Sequence, residues 1–219
     1  MYFYGKPLDG LLVTHSLRMS EQQLPPRQVW GRKFIIYGAL GIPNAGLSGW
    51  KLQIDGLVEK PVEYTYEQLL AMPQTRYVKS FHCVTQWSIK DVDWEGVPIR
   101  TLVEPAKVSS EAGWMMFHCF DGYSAPVPIE DALKGDALMA FKIGGQPLSR
   151  EQGFPARPFF PSLYGWKSAK WANRIELIKD YSDGYWEAYG YHERGNVWDE
   201  ERFKGPSGKH QRHRAFGTA

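Results

Sequence analysis

Apolar residues in this chain come in short runs, alternating or continuous, and no helical stretch between them is long enough for repeated βαβ crossovers. In the segment WKLQIDG, Trp50, Leu52 and Ile54 fall on one face and Lys51, Gln53 and Asp55 on the other, ahead of an Asp55-Gly56 turn. That is the pattern of a half-buried strand. Further strands are expected through YVKSFHC, which ends on Cys83, through WMMFHCF closed by Asp121-Gly122, through ALMAFKI ahead of a Gly144-Gly145 hairpin turn, and through KWANRIELI. Helices are expected to be brief. Thr65 and Gln68 make a capping-box pattern for YEQLLAM, which must stop near Pro73; Pro98 suits the first turn of PIRTLVE; PIEDALKGD allows one or two turns. Strands outnumber helices, so the fold class that follows is α+β, mixed and strand-rich.

A chain of 219 residues with 43% hydrophobic and 15% aromatic content can bury one substantial core. Residues 1–27 mix Gly, Pro and polar residues without sustained periodicity and read as an extended N-terminal arm; 28–203 read as the domain and 204–219 as a basic, flexible tail. The tail carries Lys204, Lys209, Arg212 and Arg214 with no acid, whereas the whole chain has a formal charge of only +2. The body is therefore close to neutral, and the tail lacks the aromatic interleaving of a nucleic-acid arm, so no nucleic-acid partner is expected. No stretch approaches the ~20 apolar residues of a membrane span, and neither a signal-type apolar core nor a twin-arginine motif is seen. With Cys83 and Cys119 the only cysteines, a cytoplasmic protein in a reducing compartment is expected.

Several signatures are missing: a P-loop, Gly-x-Gly-x-x-Gly, His-Glu-x-x-His and Gly-x-Ser-x-Gly. The phrase Phe-His-Cys occurs twice, at 81–83 and 117–119, and two His with two Cys invite a zinc reading. Neighbours on a strand point to opposite faces, however, so neither pair can readily give both ligands to one metal. Each His also reads as a satisfied interior residue, and Cys83 as a thiol nucleophile with a distant His base stays open. Between Gln152 and Ile175 stand four cations, Arg157, Lys167, Lys170 and Arg174, and no acid. Such one-sided charge suits a phosphate-bearing ligand; a solvated basic face gives the same pattern.

Read together, Cys83-Val84-x-x-Trp87-Ser88, then Trp94-x-Gly96-Val97-Pro98 and Leu102, resembles the cofactor-ligating segment of the sulfite oxidase family, the oxidoreductase molybdopterin-binding domain. The block from Gln152 to Arg157, followed by YGWKSAKW at 164–171, is similar to that family's pterin-phosphate block. Residues 28–203 carry the resemblance, which includes the small prokaryotic sulfite-oxidase-like oxidoreductases through YGWKSAKW and DGYWEAYGYHERGNVWDEERF. It implies Mo-molybdopterin as cofactor and Cys83 as the catalytic sulfur ligand to the metal. It places Arg157, Lys167, Ser168, Ala169 and Lys170 at the pterin phosphate, with Gln152 where relatives more often carry His or Asn. Cys119 falls beside the pterin or in the core, and Tyr37 and Gly38 fall in a cofactor-contacting loop. His192 and Arg194 either edge the site or make surface hydrogen bonds. The implied reaction is two-electron oxygen-atom transfer on a small S-oxide or sulfite-like substrate. Electrons are exchanged with a separate electron-transfer protein or quinone-linked carrier, since no haem motif is present. Sulfite itself fits poorly, because Trp87-Ser88 stand where the family's sulfite oxidases carry an arginine-bearing segment. A molybdopterin-binding protein without turnover, or a thiol-dependent enzyme using Cys83, remain the alternatives.

Overall fold

A computed structural model describes residues 23–205. In chain order the strands are β1 (Val29–Trp30), β2 (Lys51–Gly56), β3 (Val62–Thr65), β4 (Thr75–His82), β5 (Trp87–Pro98), β6 (Trp114–Cys119), β7 (Ser124–Pro128), β8 (Leu138–Ile143), β9 (Gln146–Pro147), β10 (Arg157–Phe159) and β11 (Ala172–Ile178). Three short helices, α1 (Tyr66–Ala71), α2 (Ile99–Val103) and α3 (Ile129–Ala132), cross between them. The strand-rich mixed class holds.

Two sheets result. The long β5 is the spine of the first: β4 runs antiparallel along one edge, while on the other edge β1 pairs parallel at its start and β8 antiparallel at its end. In the second, ordered β3-β2-β11-β6-β7, only the β2–β11 pair is parallel. Leu52 and Ile54 are fully buried there, as their alternation requires. The continuous apolar run of β8 has a different cause. Met139 and Phe141 enter the large core that includes β2, β6 and β11, while Leu138 and Ala140 enter a second cluster with Phe81, Trp94 and Phe159. A strand covered on both faces has no polar side to show.

Local chemistry sets the element ends. Thr65 Oγ1 accepts from the Gln68 amide and Gln68 Oε1 accepts from the Thr65 amide, closing the capping box of α1. Pro98 sits at the N-cap of α2 rather than inside its first turn, and Pro128 does the same for α3; an extended residue there joins strand to helix without a gap. Gly144 and Gly145, at φ +61° and +73°, make the tight turn from β8 to β9.

Packing begins inside the expected arm, since Pro25 is already buried and Arg27 pairs with Glu200. Residues 1–22 of that arm and 206–219 of the basic tail lie outside the described residues. Among those described, no helix is long and apolar enough to cross a membrane.

Candidate cofactor site

Cys83 occupies the turn between β4 and β5. Its amide donates to the Trp87 carbonyl at 2.9 Å, its carbonyl accepts from the Gln86 amide at 3.1 Å, and Gln86 lies at φ +74°. This is a three-residue hairpin loop, Val84 to Gln86, whose last residue is left-handed, a geometry that turns the chain sharply. The half-buried thiol faces a cavity of about 460 Å³, and its Sγ lies 3.2 Å from Thr85 Oγ1.

Across the cavity, Arg157 opens β10 and is 6% exposed. Its Nη1 donates to the Gln152 carbonyl at 3.0 Å and its Nη2 to the Ser168 carbonyl at 2.7 Å, while Nε is buried with no hydrogen-bond partner. Among the described residues no carboxylate pairs with it. Burial pulls this guanidinium down to about 10. Lys170 is pulled to about 8, by burial first and by the charge of Arg157 second. It donates to the Glu151 carbonyl at 3.0 Å and lies 4.4 Å from the centre of the Trp171 ring. Trp171, just before β11, holds φ +61°, a conformation costing a non-glycine residue ~1–3 kcal/mol.

The structure sorts the expected residues. Tyr37, Gly38, Cys83, Gln152, Arg157, Ser168, Ala169 and Lys170 line one cavity. Gln152 does so with its side-chain oxygen engaged, accepting from the Ser149 amide at 2.8 Å in a reciprocal turn, so it shapes the loop. Lys167 is a correction. It is fully buried away from the cavity and donates to Glu187, to the Pro126 carbonyl and to the Glu193 carbonyl. Lys170, three residues on, lines the cavity instead. Arg174 likewise pairs with Asp55 and Glu176 outside the cavity. Cys119 is a core residue whose thiol burial pushes well up, and it does not line the cavity.

The paired Phe-His-Cys phrases are satisfied separately. His82 Nδ1 lies 2.8 Å from Ser88 Oγ and burial pulls its imidazole down to about 4; His118 Nε2 lies 2.8 Å from Glu176. Among the described residues no group of three His, Cys, Asp or Glu is placed to hold a metal. Arg194 pairs with Asp131 and His192 with Glu201, both outside the lining. Phe34 and Asp121, not assigned to the site from sequence, also line the cavity, as do Trp87, Trp186 and Tyr191, which fall within the quoted motifs but were given no role there. Phe34 and Asp121 carry no cofactor motif of their own and arrive from segments far apart in the chain.

A buried guanidinium with a free Nε and no counter-charge calls for an anion. The flat aromatic walls around it suit a ring system, and the thiol suits a soft metal. The residues present thus fit a phosphate-bearing pterin that carries a thiolate-bound metal. Fold and cavity together define a strand-rich domain built to hold such a group. The chain belongs to the oxidoreductase molybdopterin binding domain family, whose profile matches residues 39–186. It is an oxidoreductase whose cofactor is the molybdenum-bearing pterin.

Among relatives, the uncharacterized oxidoreductase YuiH of Bacillus subtilis is 38% identical over 85% of this chain and 96% of its own length. The catalytic subunit MsrP of the Campylobacter jejuni protein-methionine-sulfoxide reductase is 31% identical over 69% of this chain, which spans 57% of that protein. The sulfane dehydrogenase SoxCD of Paracoccus pantotrophus shares the fold at a TM-score of 0.58 and 26% identity, over 64% of this chain and 41% of that one.

Proposed function

We propose that this protein reduces or forms a neutral S-oxide by two-electron oxygen-atom transfer, with Cys83 as the thiolate ligand of molybdenum. The bound molybdenum-pterin supplies the oxygen-atom transfer. Arg157 and Lys170, with Gln152, Ser168 and Ala169 around them, hold its phosphate. Tyr37 and Gly38 close one side.

One observation carries the choice of substrate class. The charged lining residues are Asp121, Glu151, Arg157 and Lys170, two acids and two cations, and both cations belong to the phosphate end of this reading. Around Cys83 the lining is Phe34, Phe81, Val84, Thr85, Trp87 and Tyr191. An anion such as sulfite would find no free cation there, whereas a thioether S-oxide brings no charge to desolvate. The methionine-sulfoxide reductase named among the relatives supports the same direction. That relative is a catalytic subunit, which supports electron delivery by a separate electron-transfer protein or quinone-linked carrier. Cytoplasmic residence belongs to the proposal and is tested by cell fractionation.

Protein made in a molybdenum-replete, cofactor-competent host is expected to carry molybdenum. With a reduced dye as donor it converts a dialkyl sulfoxide, two electrons and two protons into thioether and water, while leaving sulfite untouched. Cys83→Ser keeps the fold and some pterin but loses this activity and alters the Mo(V) spin signal. Full activity in Cys83→Ser would sink the ligand assignment. Loaded protein inactive on every S-oxide tried would leave the binding-protein reading standing.

A further inference from the structure

Two residues from opposite ends of the described chain meet behind the Cys83 turn. Gln28, 4% exposed, donates from Nε2 to the Cys83 carbonyl at 3.0 Å and accepts at Oε1 from the Ser88 hydroxyl at 3.1 Å. The Ser88 oxygen lies 2.8 Å from His82 Nδ1, which therefore donates, since the hydroxyl proton is already given to Gln28. Arg202, also 4% exposed, donates to the Val84 carbonyl and, from Nη2, to the Pro26 carbonyl at 3.4 Å. Its guanidinium lies 4.8 Å from the centre of the buried Tyr164 ring. None of Gln28, Ser88, His82 and Arg202 lines the cavity, so any effect on the site passes through the turn.

That turn needs outside support. Gln86 holds φ +74° without being glycine, and such conformations persist only where the surroundings over-determine them. Successive carbonyls, of Cys83 and Val84, are each gripped by a buried donor. Fixing both carbonyls fixes the two peptide planes that follow the cysteine, and with them the direction in which Cα–Cβ carries the sulfur. We infer that Gln28, backed by Ser88 and His82, and Arg202 are positioning residues that aim the Cys83 thiolate at the metal. The role rests on Cys83 being the metal ligand. It is the arrangement by which groups behind a ligand set its orientation and tune the metal.

The test uses full-length protein in two forms. In the cofactor-free form, the rate of iodoacetamide alkylation at Cys83 is followed by mass spectrometry, with buried Cys119 as internal reference. Gln28→Leu and Arg202→Met are each expected to raise that rate about five-fold, the effect of one lost hydrogen bond on the population of loosened turn. In the molybdenum-loaded form, both are expected to shift the g-values and hyperfine splitting of the Mo(V) signal at retained metal content. Ser88→Ala, which leaves the Cys83 carbonyl bonded to Gln28, gives a smaller shift in the same direction and decides the matter if Gln28→Leu fails to fold. Arg194→Met, which loosens the same C-terminal segment at Asp131, changes neither readout. Variants that melt earlier yet keep the wild-type alkylation rate and Mo(V) signal would reduce the network to scaffolding and overturn the inference. If instead Cys83→Ser leaves the wild-type Mo(V) signal intact, the ligand assignment itself fails and the positioning role falls with it.

Discussion

A buried cation without a counter-charge is held at a cost, which Arg157 bears, while half-buried Lys170 feels both the charge of Arg157 and the carboxylates of Asp121 and Glu151. In the proposed reading both face the pterin phosphate. Lys170 gives a pH test with a definite sign. In the cofactor-free protein its ammonium is pulled to about 8, while a bound phosphate favours the charged form and pushes it back up. Phosphate binding therefore takes up a proton above that pH, and affinity falls as pH climbs through about 8. Titration of cofactor-free protein with inorganic phosphate between pH 7 and 9.5 measures this, and Lys170→Met is expected to flatten the slope. Stability of the cofactor-free fold runs the opposite way. From about 8 up to the ordinary lysine range the unfolded chain holds more protons, so the fold gains stability as pH rises. The two cysteines also separate at this scale. Cys83 carries the Val-x-x-Trp-Ser continuation and sits on the turn; Cys119 repeats only Phe-His-Cys and packs in the core.

Among the elements, the 151–171 segment does the most to shape the site. Gly153 stands at φ +107°, and a Cβ there would lie 2.9 Å from Lys170 Cβ. Gly153→Ala therefore both strains the backbone and pushes the Lys170 side chain. It is expected to destabilise the fold by about 1–3 kcal/mol in urea melts and to weaken phosphate binding. Lys167, in the same run, belongs to another job. Its ammonium joins Glu187 to the carbonyls of Pro126 on β7 and Glu193, so it fastens the aromatic C-terminal segment to the second sheet. Removing it leaves a buried carboxylate uncompensated. Lys167→Ala is expected to cost ~3–5 kcal/mol by urea unfolding, with unchanged phosphate affinity in the folded fraction. A large affinity loss with normal stability would return Lys167 to the cofactor. The match of motif to family suggested the latter, and only the direction of the side chain decided otherwise.

The whole molecule closes its cavity with pieces from distant parts of the chain: Phe34 to Ala39, the Cys83 turn, the Arg157 and Lys170 segment, and Trp186 and Tyr191. A ligand bridging these pieces binds the folded chain alone. At a hundred-fold excess over its dissociation constant it would add about 2.7 kcal/mol, or roughly 5–11 °C in melting temperature for a chain of this size. Calorimetry on loaded and cofactor-free protein checks this; equal melting temperatures would argue against a cofactor seated across these segments. Although the long β5 and the short β1, β3, β7, β9 and β10 were not read from it, the sequence made legible the strands β2, β4, β6, β8 and β11, the capping box at Thr65, the glycine turn at 144–145 and the place of Cys83 at the end of β4. Each depends on neighbours within a few residues, and local sterics and hydrogen bonding write such features directly into residue order. Which of the four cations faces the ligand was not legible, nor was the grip of Gln28 and Arg202 on a turn 55 and 118 residues away. Those outcomes depend on which sheet face a side chain meets once remote strands pair, and tertiary packing alone sets that.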